Sequence, residues 1–170
     1  MASPFYNYTV STFTRGLNAL SAILKKAEEH AAEKNISLDD FFNARLVEDM
    51  LPLSSQVAIA TSTVSKALAR ATFVEPAPQQ EPDATYQDLY KRVDRALAEL
   101  EKVDSATFAA KEGQTFKAPI GDNVFDYTME DYSVRFAIPN FYFHVVTVYD
   151  ILRMKGVQIG KMDYLSGFIA

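Results

Sequence analysis

The chain has 170 residues, 48% of them hydrophobic and 23% charged, which is typical of a single globular domain spanning residues 1–170. The absence of cysteine excludes disulfides, thiolate nucleophiles and cysteine-bound zinc, and two histidines cannot supply a site with three histidine ligands. A net charge of −5 argues against nucleic acid or an anionic membrane surface as a partner, because both require clustered Lys and Arg.

Apolar residues at alternating spacings of three and four predict the first long helix over residues 10–33. Asn35 follows as a residue that commonly ends a helix, and Ser37 is placed to cap a short helix that runs through Phe42. The same spacing continues after Pro52, a residue that is tolerated in the first turn of a helix. A second long helix is therefore predicted to start there.

The third long helix is predicted over residues 85–103, after a proline-rich surface connection at residues 76–82. Residues 104–127 then lose the helical period. Alternating side chains on both sides of Gly121 predict a small β-hairpin over residues 114–127. The sequence leaves open whether this hairpin covers a pocket.

The last long helix is predicted to open at Pro139 and to stop before Gly156. A short capped helix that begins at Thr128 and reaches Phe136 precedes it. The long helix is apolar nearly all round, so we expect it in the centre of the core or under a partner chain. Residues 157–170 show no clear period and are expected to pack along the surface. Four long helices predict an all-α four-helix bundle with a small β-hairpin inserted before the last one.

The chain contains no run of about 18 apolar residues, so no membrane span is predicted. The first ten residues lack the basic region and apolar run of a secretion signal, and the cytoplasm is the expected compartment. The aromatic surface of residues 141–149 makes a homodimer the expected assembly.

His144 is the most informative polar residue, because it lies in the middle of an aromatic helix. Asn140 precedes it by four residues, so both side chains project from one helical face, and Val148 continues that face into the core. A buried histidine needs hydrogen-bond partners. Three interpretations stay open: a hydrogen-bonded core residue, a proton acceptor or donor that lines a pocket, or a metal ligand.

Gln56 on the second long helix is the next candidate, in line with Ala60 and Thr63. Its amide has donors and an acceptor that suit the orientation of a ligand, although a boundary position facing water explains the residue equally well. Tyr142 is either a packing aromatic or a contact to a substrate. The predicted lining of a substrate pocket consists of Ala60, Thr63, Tyr142 and Val148.

Motifs for phosphate, dinucleotide or nucleophile sites are missing from the sequence. No G-x-G-x-x-G, P-loop, G-x-S-x-G or H-E-x-x-H pattern occurs, and the chain has only six glycines. No cofactor is therefore expected.

Four segments of the chain resemble a family of unknown function that is common in bacteria and fungi. They are residues 140–144, with the sequence Asn-Phe-Tyr-Phe-His, residues 149–157, residues 160–165 and, around the second long helix, residues 49–57. The resemblance covers nearly the whole chain. The family itself is similar to a branch of the DinB-like superfamily. It implies a four-helix bundle.

Metal-binding members of that superfamily use three histidines, one on the second helix and two, spaced by four residues, on the last. By this resemblance, His144 corresponds to the final histidine, Asn140 to the one before it and Gln56 to the one on the second helix. Amide oxygens bind transition metals weakly, so the resemblance implies the position of a pocket but no metal site. Related proteins include thiol-dependent transferases and maleylpyruvate isomerases.

The expected function is metal-independent acid–base catalysis, of the isomerase, cyclase or lyase type, on a small and largely apolar molecule. His144 would act as base or acid, and Asn140 and Gln56 would position the substrate or stabilise negative charge that develops on oxygen. Three alternatives stay open: a non-catalytic module that binds a small molecule, a structural dimer, and a metal-dependent thiol transferase.

Overall fold

Four long helices form the body of the computed structural model, which describes residues 4–72 and 82–169. They are α2 (Thr12–Lys34), α4 (Leu53–Thr72), α5 (Tyr86–Glu101) and α8 (Ile138–Met154). Helix α4 packs against both α5 and α8, and α2 closes the bundle against the same two helices. The predicted four-helix bundle is confirmed. Most of the predicted connection at residues 76–82 lies outside the described residues.

The first helical run begins earlier than predicted. A helical turn, α1 (Pro4–Tyr6), and a π-helical segment, Asn7–Ser11, lead directly into α2. The run ends at Asn35, whose φ of 54° lies in the left-handed region that helix ends favour. Helix α3 (Leu38–Phe42) follows, and the Ser37 hydroxyl accepts a hydrogen bond from a backbone N–H of its first turn, as predicted.

Helix α5 starts where the sequence places it. The carboxylate of Asp88 accepts a hydrogen bond from the backbone N–H of Thr85 at 3.0 Å, which satisfies one of the free donors of the helix start. A further helix, α6 (Ser105–Lys111), was not predicted. It has one buried residue, Phe108, whose ring lies 5.5 Å from that of Phe5, and a single buried residue gives no period to detect.

The predicted β-hairpin is confirmed as two antiparallel strands, β1 (Thr115–Ile120) and β2 (Asn123–Thr128). Gly121 in the two-residue turn has a φ of +58°, a conformation that favours glycine. The hairpin packs through Phe116 and Tyr127 on Tyr132, with ring centroids 5.4 and 5.8 Å apart. The hairpin is thus anchored at Tyr132, which precedes His144 by twelve residues in the same helical run.

The last long helix, α8, begins at Ile138, one residue before the predicted start at Pro139, but the helical run extends further back. Helix α7 (Met129–Tyr132), a π-helical segment (Ser133–Ala137) and α8 follow one another without a break. Pro139 lies in the first turn of α8, directly after the π-helical segment, where a residue without an N–H is tolerated. The proline therefore lies at the start of α8, as predicted, where the helical pitch changes.

The tail that showed no sequence period contains helix α9 (Lys161–Ile169), which packs along α2. Its contact is close, because an added Cβ at Gly167 would lie 2.7 Å from the carbonyl oxygen of Arg15. Asp163 in α9 pairs with Lys26 in α2. None of the residues of α9 is fully buried, which explains why no apolar stripe marks it in the sequence.

The core lies between the four long helices. Its largest completely buried side chains come from all four of them, from Phe41 of α3 and from Tyr132, which ends the short helix before the last π-helical segment. Among the described residues, no helix combines the length and the apolar character that crossing a membrane requires.

Candidate functional site

The candidate site lies where α4 and α8 pack side by side in opposite directions. Two polar pairs bridge these helices: Gln56 with His144, and Thr63 with Asn140. Asn140 and His144 are one helical turn apart on α8, and Gln56 and Thr63 are two turns apart on α4. The structure therefore places four of the predicted residues along one seam.

The first pair has a defined hydrogen-bond direction. Gln56 Nε2 donates to the carbonyl oxygen of Leu51 at 3.0 Å, and that oxygen can only accept. The amide orientation is thereby set, so that Gln56 Oε1 faces Nδ1 of His144 at 2.7 Å. Because Oε1 is an acceptor, the proton of a neutral His144 ring lies on Nδ1. The lone pair of the ring is consequently on Nε2.

The Nε2 atom of His144 reaches the protein surface. Within residues 4–72 and 82–169, the one fully buried side-chain nitrogen or oxygen without a hydrogen-bond partner is Ser133 Oγ. His144 Nε2 makes no hydrogen bond to these residues either, so it is not fully buried, in keeping with the 9% exposure of the residue. Burial of the rest of the ring lowers the pKa of His144 from its usual 6.5. The ring is therefore neutral at neutral pH and presents an open base.

The second pair is oriented in the same way. The hydroxyl of Thr63 donates to the carbonyl oxygen of Ile59, one turn earlier on α4, at 2.8 Å. A hydroxyl has a single hydrogen, so Thr63 Oγ1 accepts the bond from Asn140 Nδ2 at 2.9 Å. Asn140 is half-buried, and its Oδ1 points away from this bond.

Apolar side chains flank the two pairs at the surface. Phe143 is 59% exposed, and its ring packs edge-on against His144 with centroids 5.2 Å apart. Leu51 is 51% exposed at the loop that orients Gln56. A ligand that approaches Nε2 thus meets apolar surface around a few polar atoms, as small-molecule sites commonly provide.

The predicted lining residues have different positions. Ala60 and Val148 are completely buried, one helical turn from Gln56 and His144, so they form the apolar base of the seam. Tyr142 does not join them, because a residue two positions from Asn140 and from His144 projects from another side of the helix. Its hydroxyl donates to the carbonyl oxygen of Thr12 at 3.3 Å, and burial raises its pKa.

Two groups that define the site have no signal in the sequence. They are the backbone carbonyl oxygens of Leu51 and Ile59, which decide the direction of both hydrogen-bonded chains. Every residue has such a carbonyl, so only the folded backbone shows which ones face a side-chain amide. Phe143 was also missed as a neighbour of the base, because the sequence of α8 is apolar nearly all round and does not show which aromatic side chain is exposed.

The fold and the seam together define a DinB-like four-helix bundle. The chain is similar to the crystal structure of a DinB family member protein from Shewanella denitrificans, with 36% sequence identity and a TM-score of 0.83. The similarity covers 94% of this chain and 90% of that chain.

The chain belongs to the family described as a domain of unknown function, DUF1993, whose model matches residues 5–165. A comparison with functionally curated proteins gives no significant match. The family and the fold expected from the sequence are both confirmed.

The donor atoms at this seam do not fit the three-histidine metal site of the wider superfamily. Both polar atoms of the Gln56 amide are used within the protein, one by Leu51 and one by His144. Among the described atoms of the four side chains, the potential donors to a metal that have no hydrogen-bond partner are His144 Nε2 and Asn140 Oδ1. Two neutral ligands, one of them an amide oxygen, are a weak donor set for a divalent transition metal.

Proposed function

We propose that this protein is a metal-independent enzyme that moves protons on a small, largely apolar molecule, with His144 as general base and acid. The observation that carries the proposal is the oriented chain from Leu51 through Gln56 to His144, which holds the ring proton on Nδ1 and leaves the Nε2 lone pair at the surface. A base must be held in one tautomer and within reach of its substrate, and this arrangement supports both.

The chemistry follows from the two ring nitrogens. Nε2 takes a proton from a C–H or O–H bond of the substrate, and the bonding electron pair stays on the substrate. The imidazolium that forms strengthens its Nδ1–H bond to Gln56 Oε1, since a charged donor makes a stronger hydrogen bond. Return of the proton to another substrate atom completes an isomerisation or a ring closure. Return to a departing group completes an elimination.

The apolar surroundings suit this class of substrate. Phe143 offers exposed hydrophobic surface beside the His144 ring, and no lysine or arginine takes part in either hydrogen-bonded chain. The polar contacts come from neutral groups. We therefore propose an uncharged or weakly polar substrate rather than a phosphorylated one.

The same exposed surface supports the homodimer expected from the sequence as a second proposal. Phe143 and Val146 are large apolar residues that project from the outer face of α8, and a second copy of the chain would remove them from water. Light scattering after size-exclusion chromatography measures the mass in solution. A monomer for the native chain would contradict the dimer and leave the surface open to substrate.

Solvent deuterium exchange tests the catalytic proposal without a known substrate. The purified protein is incubated with a metabolite extract in D₂O, and mass spectrometry detects compounds that gain one mass unit or change structure. The His144→Asn variant removes the base but keeps a side-chain N–H for Gln56. The matched control, His30→Asn, changes the other histidine, whose ring stacks near Phe41 at 6.5 Å.

We expect exchange or conversion with the native protein and with His30→Asn, and a loss of about 10²- to 10⁴-fold with His144→Asn, the range typical of a general base. Conversion that persists in folded His144→Asn would show that His144 is not the base. Binding of a metabolite that undergoes neither exchange nor conversion would favour the binding module.

A further inference from the structure

We infer that the substrate of the α4–α8 seam carries a hydrogen-bond donor, a hydroxyl or an N–H group, that binds Oδ1 of Asn140. Thr63 is the positioning residue, because it fixes the orientation of the Asn140 amide. The inference rests on the proposed function, since it names the class of substrate for the same site. Its evidence is the direction of the second hydrogen-bonded chain, which the catalytic role of His144 does not use.

The direction of that chain follows from a count of hydrogens. The Thr63 hydroxyl has one hydrogen, and the carbonyl oxygen of Ile59 lies 2.8 Å away as an obligatory acceptor. Toward Asn140 the hydroxyl therefore presents its lone pairs, and the side chain of Asn140 must turn its Nδ2 to Thr63 at 2.9 Å. The amide oxygen is left without a partner among the described residues and borders the surface.

The position of Oδ1 relative to the base gives the spacing of the substrate groups. Asn140 precedes His144 by four residues on α8, and side chains at this spacing have Cβ atoms about 5–6 Å apart on one helical face. Both residues present a lone pair at the surface of the seam. A matching substrate has its reactive proton at Nε2 and a donor about one helical turn away, joined by an apolar body that lies along Phe143.

Small urea probes test this preference directly. Phenylurea has an apolar ring and N–H donors, 1,1,3-trimethyl-3-phenylurea has no N–H, and benzoate offers only acceptors. Binding of each probe to the full chain is measured by NMR titration, followed on the side-chain resonances of Asn140 and His144. We expect phenylurea to bind about tenfold more tightly than either other probe, the difference that one well-made hydrogen bond gives.

Three variants test whether the preference for phenylurea depends on the hydrogen bond between Thr63 and Asn140. Asn140→Leu removes the acceptor at nearly constant volume, and Thr63→Val removes the hydroxyl at constant shape. Both should abolish the tenfold preference. Thr63→Ser retains the hydroxyl and should restore the preference, which a purely structural role of Thr63 would not require. Circular dichroism establishes that each variant is folded.

The inference is overturned when benzoate binds as tightly as phenylurea, when phenylurea does not bind, or when folded Asn140→Leu keeps the preference. These outcomes are separable from those of the deuterium exchange experiment. Exchange that depends on His144 without a donor preference refutes this inference alone. A donor preference without exchange supports this inference and refutes catalysis.

Discussion

Helix α8 packs on α2 through an apolar face and on α4 through a face that carries hydrogen-bonded polar side chains. Toward α2, the ring of Phe141 meets that of Phe13 edge-on at 5.2 Å. Gly16 of α2 has no room for a side chain there, since an added Cβ would lie 2.8 Å from Cζ of Phe141. Toward α4, the same helix presents Asn140 and His144, each hydrogen-bonded across the seam.

The two faces of α8 therefore differ in what they contribute: the face toward α2 stabilises the fold, and the face toward α4 carries the candidate site. Burial of an aromatic ring against another helix is favourable wherever the shapes match. Burial of an amide or an imidazole gains little net free energy even when the group is hydrogen-bonded, and it costs free energy when the partner is missing. A seam that keeps two oriented polar pairs where apolar residues would pack as well is therefore the expected place for function.

The largest effect is expected on the apolar face. Phe141→Ala should lower the free energy of unfolding by about 3–5 kcal/mol, because the variant loses a completely buried ring and leaves a cavity. Phe143→Ala is the matched control on the exposed side of the same helix, and we expect a change within about 0.5 kcal/mol. Urea denaturation followed by circular dichroism measures both. Equal losses in the two variants would contradict the contrast between the faces.

An intermediate effect is expected when the polar pair is broken. Gln56→Leu leaves the Nδ1–H of His144 without its acceptor, so the free energy of unfolding should fall by about 1–3 kcal/mol. The ring should also lose its single tautomer, which ¹⁵N chemical shifts of the imidazole report. Unchanged ¹⁵N shifts in this variant would show that Gln56 does not set the tautomer.

The Gln56→Glu variant tests the same hydrogen bond by placing a negative charge beside His144 instead of removing the acceptor. A carboxylate at this position favours the imidazolium, so the pKa of His144 should rise above that of the native protein. NMR titration of the His144 ring, with His30 as an internal reference in the same spectra, measures the shift. A pKa that does not rise would place Gln56 outside the hydrogen bond that the structure shows.

The smallest effect is expected from pH. Burial lowers the pKa of His144 below 6.5, so the unfolded chain takes up a proton at this residue before the native chain does. The free energy of unfolding should therefore fall as the pH drops from about 6.5 toward the native pKa of His144, and this part of the loss should be absent in His144→Asn. Denaturation curves at several pH values compare the two proteins. Parallel loss in both would assign the acid sensitivity to other groups.

The bundle was predictable because each long helix carries its own periodic stripe. The apolar spacing of three and four depends only on the order of residues, and the caps at Ser37 and Thr85 act within one turn of their helix. Helices α6 and α9 were not predicted, because neither carries a periodic apolar stripe. One has a single buried residue and the other has none, and both are held by residues distant in sequence.

By itself, the sequence determined the four-helix bundle, the hairpin and the positions of Gln56, Asn140 and His144, since side-chain types and helical spacing are local properties. Only the tertiary structure decided that Gln56 pairs with His144, that Thr63 pairs with Asn140 and that Tyr142 turns toward α2. The direction of each hydrogen bond depends on backbone carbonyls that α4 and its preceding loop bring into place. Which ring nitrogen carries the lone pair is thus a property of the packed helices, because the acceptors that decide it belong to residues the sequence does not distinguish.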